Sequence, residues 1–84
     1  MLKLNKEKFL KTELGAELDS CIKSWDAALE SNDREVSTWC QAQWEVYKMT
    51  IKQFYGVEYC FTRTDEYFGL VTEDETDWLI KVER

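Results

Sequence analysis

An 84-residue chain has room for one domain, and a domain that small buries only about 60% of the surface its unfolded chain exposes, so its core must come from large side chains. Four Trp, four Tyr and four Phe supply them, each able to bury roughly 150–250 Å². A formal net charge of −6 and a pI near 4.6 argue against direct DNA or RNA binding, which needs a continuous basic surface.

The composition, 44% hydrophobic and 33% charged, is that of a globular chain and not a disordered one. No segment is long and apolar enough to span a bilayer, and the start MLKLNKEKFLK has no signal-peptide core. The expected setting is therefore cytoplasmic, with no membrane partner. Cysteines stand at 21, 40 and 60 without C-x-x-C spacing, so neither a disulfide framework nor a zinc site is indicated, and buried reduced thiols are expected.

The apolar period changes once, at Gly56, from helical to two-residue. The first helix is predicted from about Asn5 or Thr12 to Glu30, with Leu10, Leu14, Leu18, Cys21, Ile22, Trp25, Ala28 and Leu29 on one stripe. Glu13, Glu17, Lys23, Asp26 and Glu30 form its polar face. Gly15 costs roughly 1 kcal/mol relative to Ala inside a helix, so the first turns are either a separate short segment or a bend.

Ser31-Asn32-Asp33 is the connection, with Asn32 and Glu35 spaced as a capping box. The second helix should stop at Gly56, where a left-handed residue is wanted. Val36, Cys40, Trp44, Tyr47, Ile51, Phe54 and Tyr55 form one apolar stripe, and Trp39, Ala42, Val46 and Met49 a second beside it. A helix this apolar needs cover on two sides. The first helix is one cover, and the other is either the sheet or a second copy of the protein.

Beyond Gly56 the runs 57–63, 67–71 and 78–82 alternate in polarity at hairpin distances. Trp78, Ile80 and Val82 are expected on one face, as are Val57, Tyr59 and Phe61. The fold expected is α+β: two antiparallel helices, about 5–55, packed on a three-stranded antiparallel β-meander, about 57–83, as a single domain over 1–84.

Thr64 to Asp77 holds six carboxylates, Asp65, Glu66, Glu73, Asp74, Glu75 and Asp77, and no Lys or Arg. Residues 64–84 carry −5 of the net −6. Clustered carboxylates repel one another unless water, a cation or a basic surface compensates. The run lacks the spacing and terminal Glu of an EF-hand, so it reads either as a solvated turn or as a surface that meets a basic partner. The paired acids Asp65 and Glu73 leave a carboxylate acid–base mechanism open. With no histidine, no phosphate loop and no activated nucleophile, the expectation is a protein without a catalytic centre, cofactor or bound metal. Tyr59, Phe61, Tyr67 and Phe68 suit core packing better than base stacking, since only Arg63 and Lys81 lie near them. Trp39 is the aromatic least needed by an internal core, which marks Trp39, Ala42, Val46 and Met49 as a dimer or partner interface.

The Trp-rich segment WCQAQWEVYKMTIKQFYG followed by VEYCFTRTDEYFGLVTEDETDWLIKVER resembles, in general style, the small acidic accessory proteins of Gram-positive phages and mobile elements. That resemblance covers about residues 36–84. It implies inhibition of a host defence, of anti-CRISPR or anti-restriction type, with an acidic surface occupying a basic nucleic-acid channel of a bacterial host protein. Three functions follow: an acidic protein-binding module, a homodimeric structural or assembly factor built on the second helix, and a carboxylate-based enzyme or metal binder.

Overall fold

The computed structural model describes residues 3–84. Three helices, α1 (Lys6–Lys11), α2 (Glu13–Glu30) and α3 (Arg34–Tyr55), precede three strands, β1 (Tyr59–Arg63), β2 (Tyr67–Thr72) and β3 (Trp78–Glu83). The strands form one antiparallel sheet in the order β1-β2-β3. The α+β class and the meander match expectation, and the first helix resolves into two.

The break between α1 and α2 falls at Thr12, not at Gly15. Thr12 is extended (φ −75°, ψ 162°) and serves both helices. Its hydroxyl donates to Phe9 O at 2.6 Å and accepts from Gly15 N at 3.1 Å, so one side chain closes α1 and caps α2. Gly15 has a different task. A Cβ there would lie 2.0 Å from Phe9 O, so only glycine lets α1 fold back onto α2 and deliver Phe9 to the core.

The cap of α3 also departs from expectation. Asp33, not Asn32, accepts from Val36 N at 3.1 Å, while Asn32 takes φ 59° in the turn. Asn tolerates the left-handed region, so the turn claims it and the cap moves on by one residue. Gly56 ends α3 at φ 71°, its N–H bonded to Lys52 O at 2.9 Å, as its sequence position predicts.

The core lies between the α2–α3 hairpin and one face of the sheet. Leu18, Ile22 and Trp25 of α2 and Cys40, Trp44 and Ile51 of α3 meet Tyr59, Phe68, Leu70, Leu79 and Ile80. Trp25 stacks on Phe61 with centroids 3.9 Å apart and planes 10° from parallel. Leu14 and Leu29, placed on the buried stripe by period, lie at the two ends of α2 and are exposed.

Trp78 is on the other face of the sheet from its expected partners. The β2–β3 register pairs Leu70 with Ile80 but Val71 with Trp78, so Leu79 is an extra residue in a bulge. A bulge turns every side chain on its far side over. Leu79 and Ile80 both enter the core, and Trp78 moves to the outer face, edge-on to Tyr67 at 5.2 Å, with the Lys81 ammonium 5.1 Å from its ring. Between Tyr67 and Val71 on that face lies Gly69, where a Cβ would fall 1.9 Å from Ile80 O.

Gly15→Ala and Gly69→Ala are each expected to destabilise the fold by about 1–3 kcal/mol or more through backbone displacement. Urea unfolding followed by far-UV circular dichroism reads this directly, and unchanged midpoints would refute the close approaches.

Candidate functional site

The six carboxylates of the acidic stretch do not form one surface. Asp65 and Glu66 sit in the β1–β2 turn and Glu73 to Asp77 in the β2–β3 turn, at opposite ends of a six-residue strand about 20 Å long. Asp65 and Glu73 are therefore too far apart to share a substrate as acid and base.

Within the second turn the acids divide again. Asp74 Oδ1 accepts from Thr72 Oγ1 at 2.6 Å, Thr76 Oγ1 at 2.8 Å and Thr76 N at 3.3 Å. Those hydrogen bonds hold its carboxyl below the usual pKa. Asp77 pairs with Lys6 and accepts from Tyr59 Oη at 3.4 Å. Burial first, then the Asp77 charge, push the Tyr59 hydroxyl up to about 12. Asp74 thus shapes the turn, and Asp77 ties it to α1. Glu73 and Glu75 project into solvent with no ion-pair partner among the described residues, and Glu75 takes φ 60°. A shallow depression of about 400 Å³ separates this turn from Glu58. Among the described residues no group of acids, cysteines or histidines is gathered as a metal site.

The opposite end of the sheet holds a charged constellation that the sequence pattern hid. Asp26, assigned by period to the solvent face, is only 7% exposed. It receives Arg63 Nε at 2.7 Å, Arg84 Nη2 at 2.6 Å and Arg84 Nη1 at 3.1 Å. Arg63 also reaches Glu30 at 2.7 Å, and Arg84 donates through Nε to Thr64 O at 2.8 Å. Burial alone would raise the Asp26 pKa, but hydrogen bonds and charge from Arg84 and Arg63 outweigh it and lower the value. The available clue was Asp26 itself, four residues after Ile22 and next to Trp25 on the core edge of α2. Its partners lie 37 and 58 residues away, beyond any periodicity argument.

The third feature is the α3 surface. Cys40, Trp44 and Ile51 are buried, whereas Trp39, Val46 and Met49 are 59%, 65% and 69% exposed, and Ala42 is exposed beside them. Val36 and Phe54, expected on the first stripe with Cys40 and Trp44, are exposed as well because they lie at that stripe's edge. At 100° per residue the flank between them runs through Gln43, Thr50 and Gln53 without a charged side chain. Glu35 stands exposed at the N-terminal end of this flank, one turn before Trp39, whereas Lys52 and Lys48 lie on the side of α3 that faces Glu58, 3.4 Å and 4.0 Å from it. Neither α2 nor the sheet covers the second stripe.

Beside that flank runs a groove of about 610 Å³ between α2 and α3. Glu13, Ala16, Glu17, Ser20 and Ser24 line it from α2, and Trp39, Gln43 and Tyr47 from α3. Burial and the neighbouring Glu17 carboxylate raise the Tyr47 pKa. Cys21 opens onto the groove and donates to Cys40 O at 3.5 Å. Burial and the adjacent Cys40 push its thiol up to about 11, so at neutral pH it is a packed group and not a nucleophile. Cys60 departs from the expected burial and is exposed on the outer face of β1.

No protein-family model matches the chain, and no curated protein and no solved structure matches it significantly. Among the described residues no helix is long and apolar enough to cross a membrane.

Because the folded pKa of Asp26 is depressed, its stabilising contribution is fully present above the ordinary carboxylate value of about 4 and is lost as pH falls through the folded value. Asp26→Asn should flatten the acid limb of the stability–pH profile measured by urea titration. Asp26→Ala should cost about 3 kcal/mol at pH 7, the lower end for a broken buried pair, since Arg63 and Arg84 both reach water.

Proposed function

We propose that this chain is a small non-enzymatic protein-binding module whose principal docking surface is the exposed flank of α3. The observation that carries the reading is the Trp39, Ala42, Val46 and Met49 stripe, uncharged and open to solvent on a rigid 22-residue helix. Contiguous apolar surface on a small monomer marks a contact site, and a half-exposed indole is the side chain most often found at the energetic centre of one. Pre-formed helical backbone keeps the ordering cost of association low. No step of bond chemistry is assigned to the molecule.

A second reading takes the β2–β3 turn to a basic surface. It is favoured by Glu73 and Glu75, which point into solvent with no ion-pair partner among the described residues. This is the mode implied by the resemblance to phage-type inhibitors of host defence, with a nucleic-acid-handling host protein as target. In it Glu73 and Glu75 make the contact, Asp74 and Asp77 hold the turn's shape, and Asp65 and Glu66 serve a separate end of the sheet.

The two readings differ in their response to salt and in the residues they need. For the α3 surface, capture of a partner from bacterial lysate by the immobilised full chain should persist at high salt and fall about 10-fold or more with Trp39→Ala. Undiminished capture by that variant would sink the reading. The acidic-turn reading predicts the opposite pattern: Glu73→Gln with Glu75→Gln should slow association and weaken its salt dependence, because rim charges act through electrostatic steering. Unchanged association by that double variant would leave the turn as a solvated loop.

A further inference from the structure

The α3 flank and the α2–α3 groove share Trp39 and form one continuous surface on the side of the helical hairpin away from the sheet. We infer that its occupant is a second copy of this chain, the two α2–α3 hairpins packing face to face as a four-helix arrangement about a two-fold axis. The inference rests on the α3 docking surface proposed above and names its partner.

Charge placement is the first argument. The flank between Val36 and Phe54 carries no charged side chain, and Glu35 stands only at its N-terminal end, so the middle of the face offers a strongly charged partner no complementary group. The acids of residues 64–84 lie at the sheet's turns and strands, so two copies can meet through α3 without bringing these carboxylates together. Glu13 and Glu17 line the groove beside the small residues and are exposed in the single chain, so like charge on the two copies weakens the contact.

Shape is the second. On the groove side α2 presents the small residues Ala16, Ser20 and Ser24 in line, with Glu13 and Glu17 beside them, whereas α3 presents Trp39 in the groove and Val46 and Met49 on the adjoining flank. Large side chains on one helix and small ones on its neighbour make a surface complementary to itself. A two-fold seats the large residues of each copy over the small-residue helix of the other.

Area is the third. Eighteen residues of α2 against α3 give a face about 27 Å long and two helix diameters, roughly 20 Å, wide. The footprint is about 500–600 Å² on each copy, and the two together approach the ~1,200 Å² at which specific interfaces begin. A weak, reversible dimer fits that size.

Sedimentation equilibrium on the full chain tests this. The mass should rise from 10.0 kDa toward twice that value with increasing concentration, and at lower concentration in ~0.5 M salt than in ~0.1 M, because screening relieves the repulsion between two chains of like net charge. Val46→Glu, which puts a carboxylate into the face, and Trp39→Ala, which removes its largest side chain, should each raise the dissociation constant about 10-fold or more with circular dichroism unchanged. A mass of 10.0 kDa at ~1 mM protein, the weak limit of specific association, would overturn the second copy. If lysate capture still required Trp39, the docking surface would stand with a different partner. A dimer indifferent to both substitutions would overturn this inference by placing the two-fold contact on another face, and the α3 surface would then stand or fall on lysate capture by Trp39→Ala.

Discussion

Two arginines from distant parts of the chain converge on the carboxylate of Asp26, and the seating of the sheet against α2 depends on that convergence. Arg63 ends β1, Arg84 follows β3, and Asp26 sits within α2. A carboxylate this buried is strongly destabilising when unpaired. The lowest-energy fold is therefore one in which both strand ends lie over the same turn of the helix. The Arg84 main chain reinforces this, its N–H donating to Glu66 O at 2.9 Å. The Arg84 guanidinium also lies 5.2 Å from the Phe68 ring. Lys6 and Asp77 tie α1 to the turn at the other end of the sheet.

Between these two charged ties, packing is set by places where backbones touch. Gly15 lets α1 lie against α2, and Gly69 lets β2 approach β3 at Ile80. The bulge at Leu79 inverts the side-chain order of β3, so that Leu79 and Ile80 both fill the core while Trp78 leaves it. Trp78, Tyr67 and the Lys81 stem then form a small cluster on the outer face. This cluster shields the glycine position in the middle of the sheet. One extra residue in the strand thus puts the adjacent side chains Leu79 and Ile80 into the same core, with Leu79 taking the place of Trp78.

The surface is divided as sharply as the interior. The acids of residues 64–84 gather at the two ends of the sheet, and the free flank of α3 carries no charge between Val36 and Phe54, with Glu35 at its N-terminal end. Part of the acidity is consumed internally: Asp26 by arginines, Asp77 by Lys6 and Tyr59, and Asp74 by the threonines of its turn. Only Glu73 and Glu75 of the β2–β3 turn remain wholly outward. Acidic composition therefore overstates the carboxylate surface offered to a partner, and the apolar helix flank is the larger continuous feature.

Local chemistry in the sequence determined the element types, the left-handed stop at Gly56, the three strands and the existence of two apolar stripes on α3, because periodicity and glycine placement act over a few residues. Packing set the exposure of Val36 and Phe54 at the edge of the first stripe. Exposure of Trp39 was foreseeable from its place on the second stripe. Tertiary structure alone decided the rest. Whether the break lay at Thr12 or Gly15 depended on a hydroxyl finding Phe9 O, and the cap of α3 passed to Asp33 because the turn needed Asn32. The face taken by Trp78 depended on one extra residue in a cross-strand register, which no single strand encodes. The role of Asp26 and the separation of the six carboxylates into two ends arise from contacts tens of residues apart, where the chain's path and not its local pattern sets which charges meet.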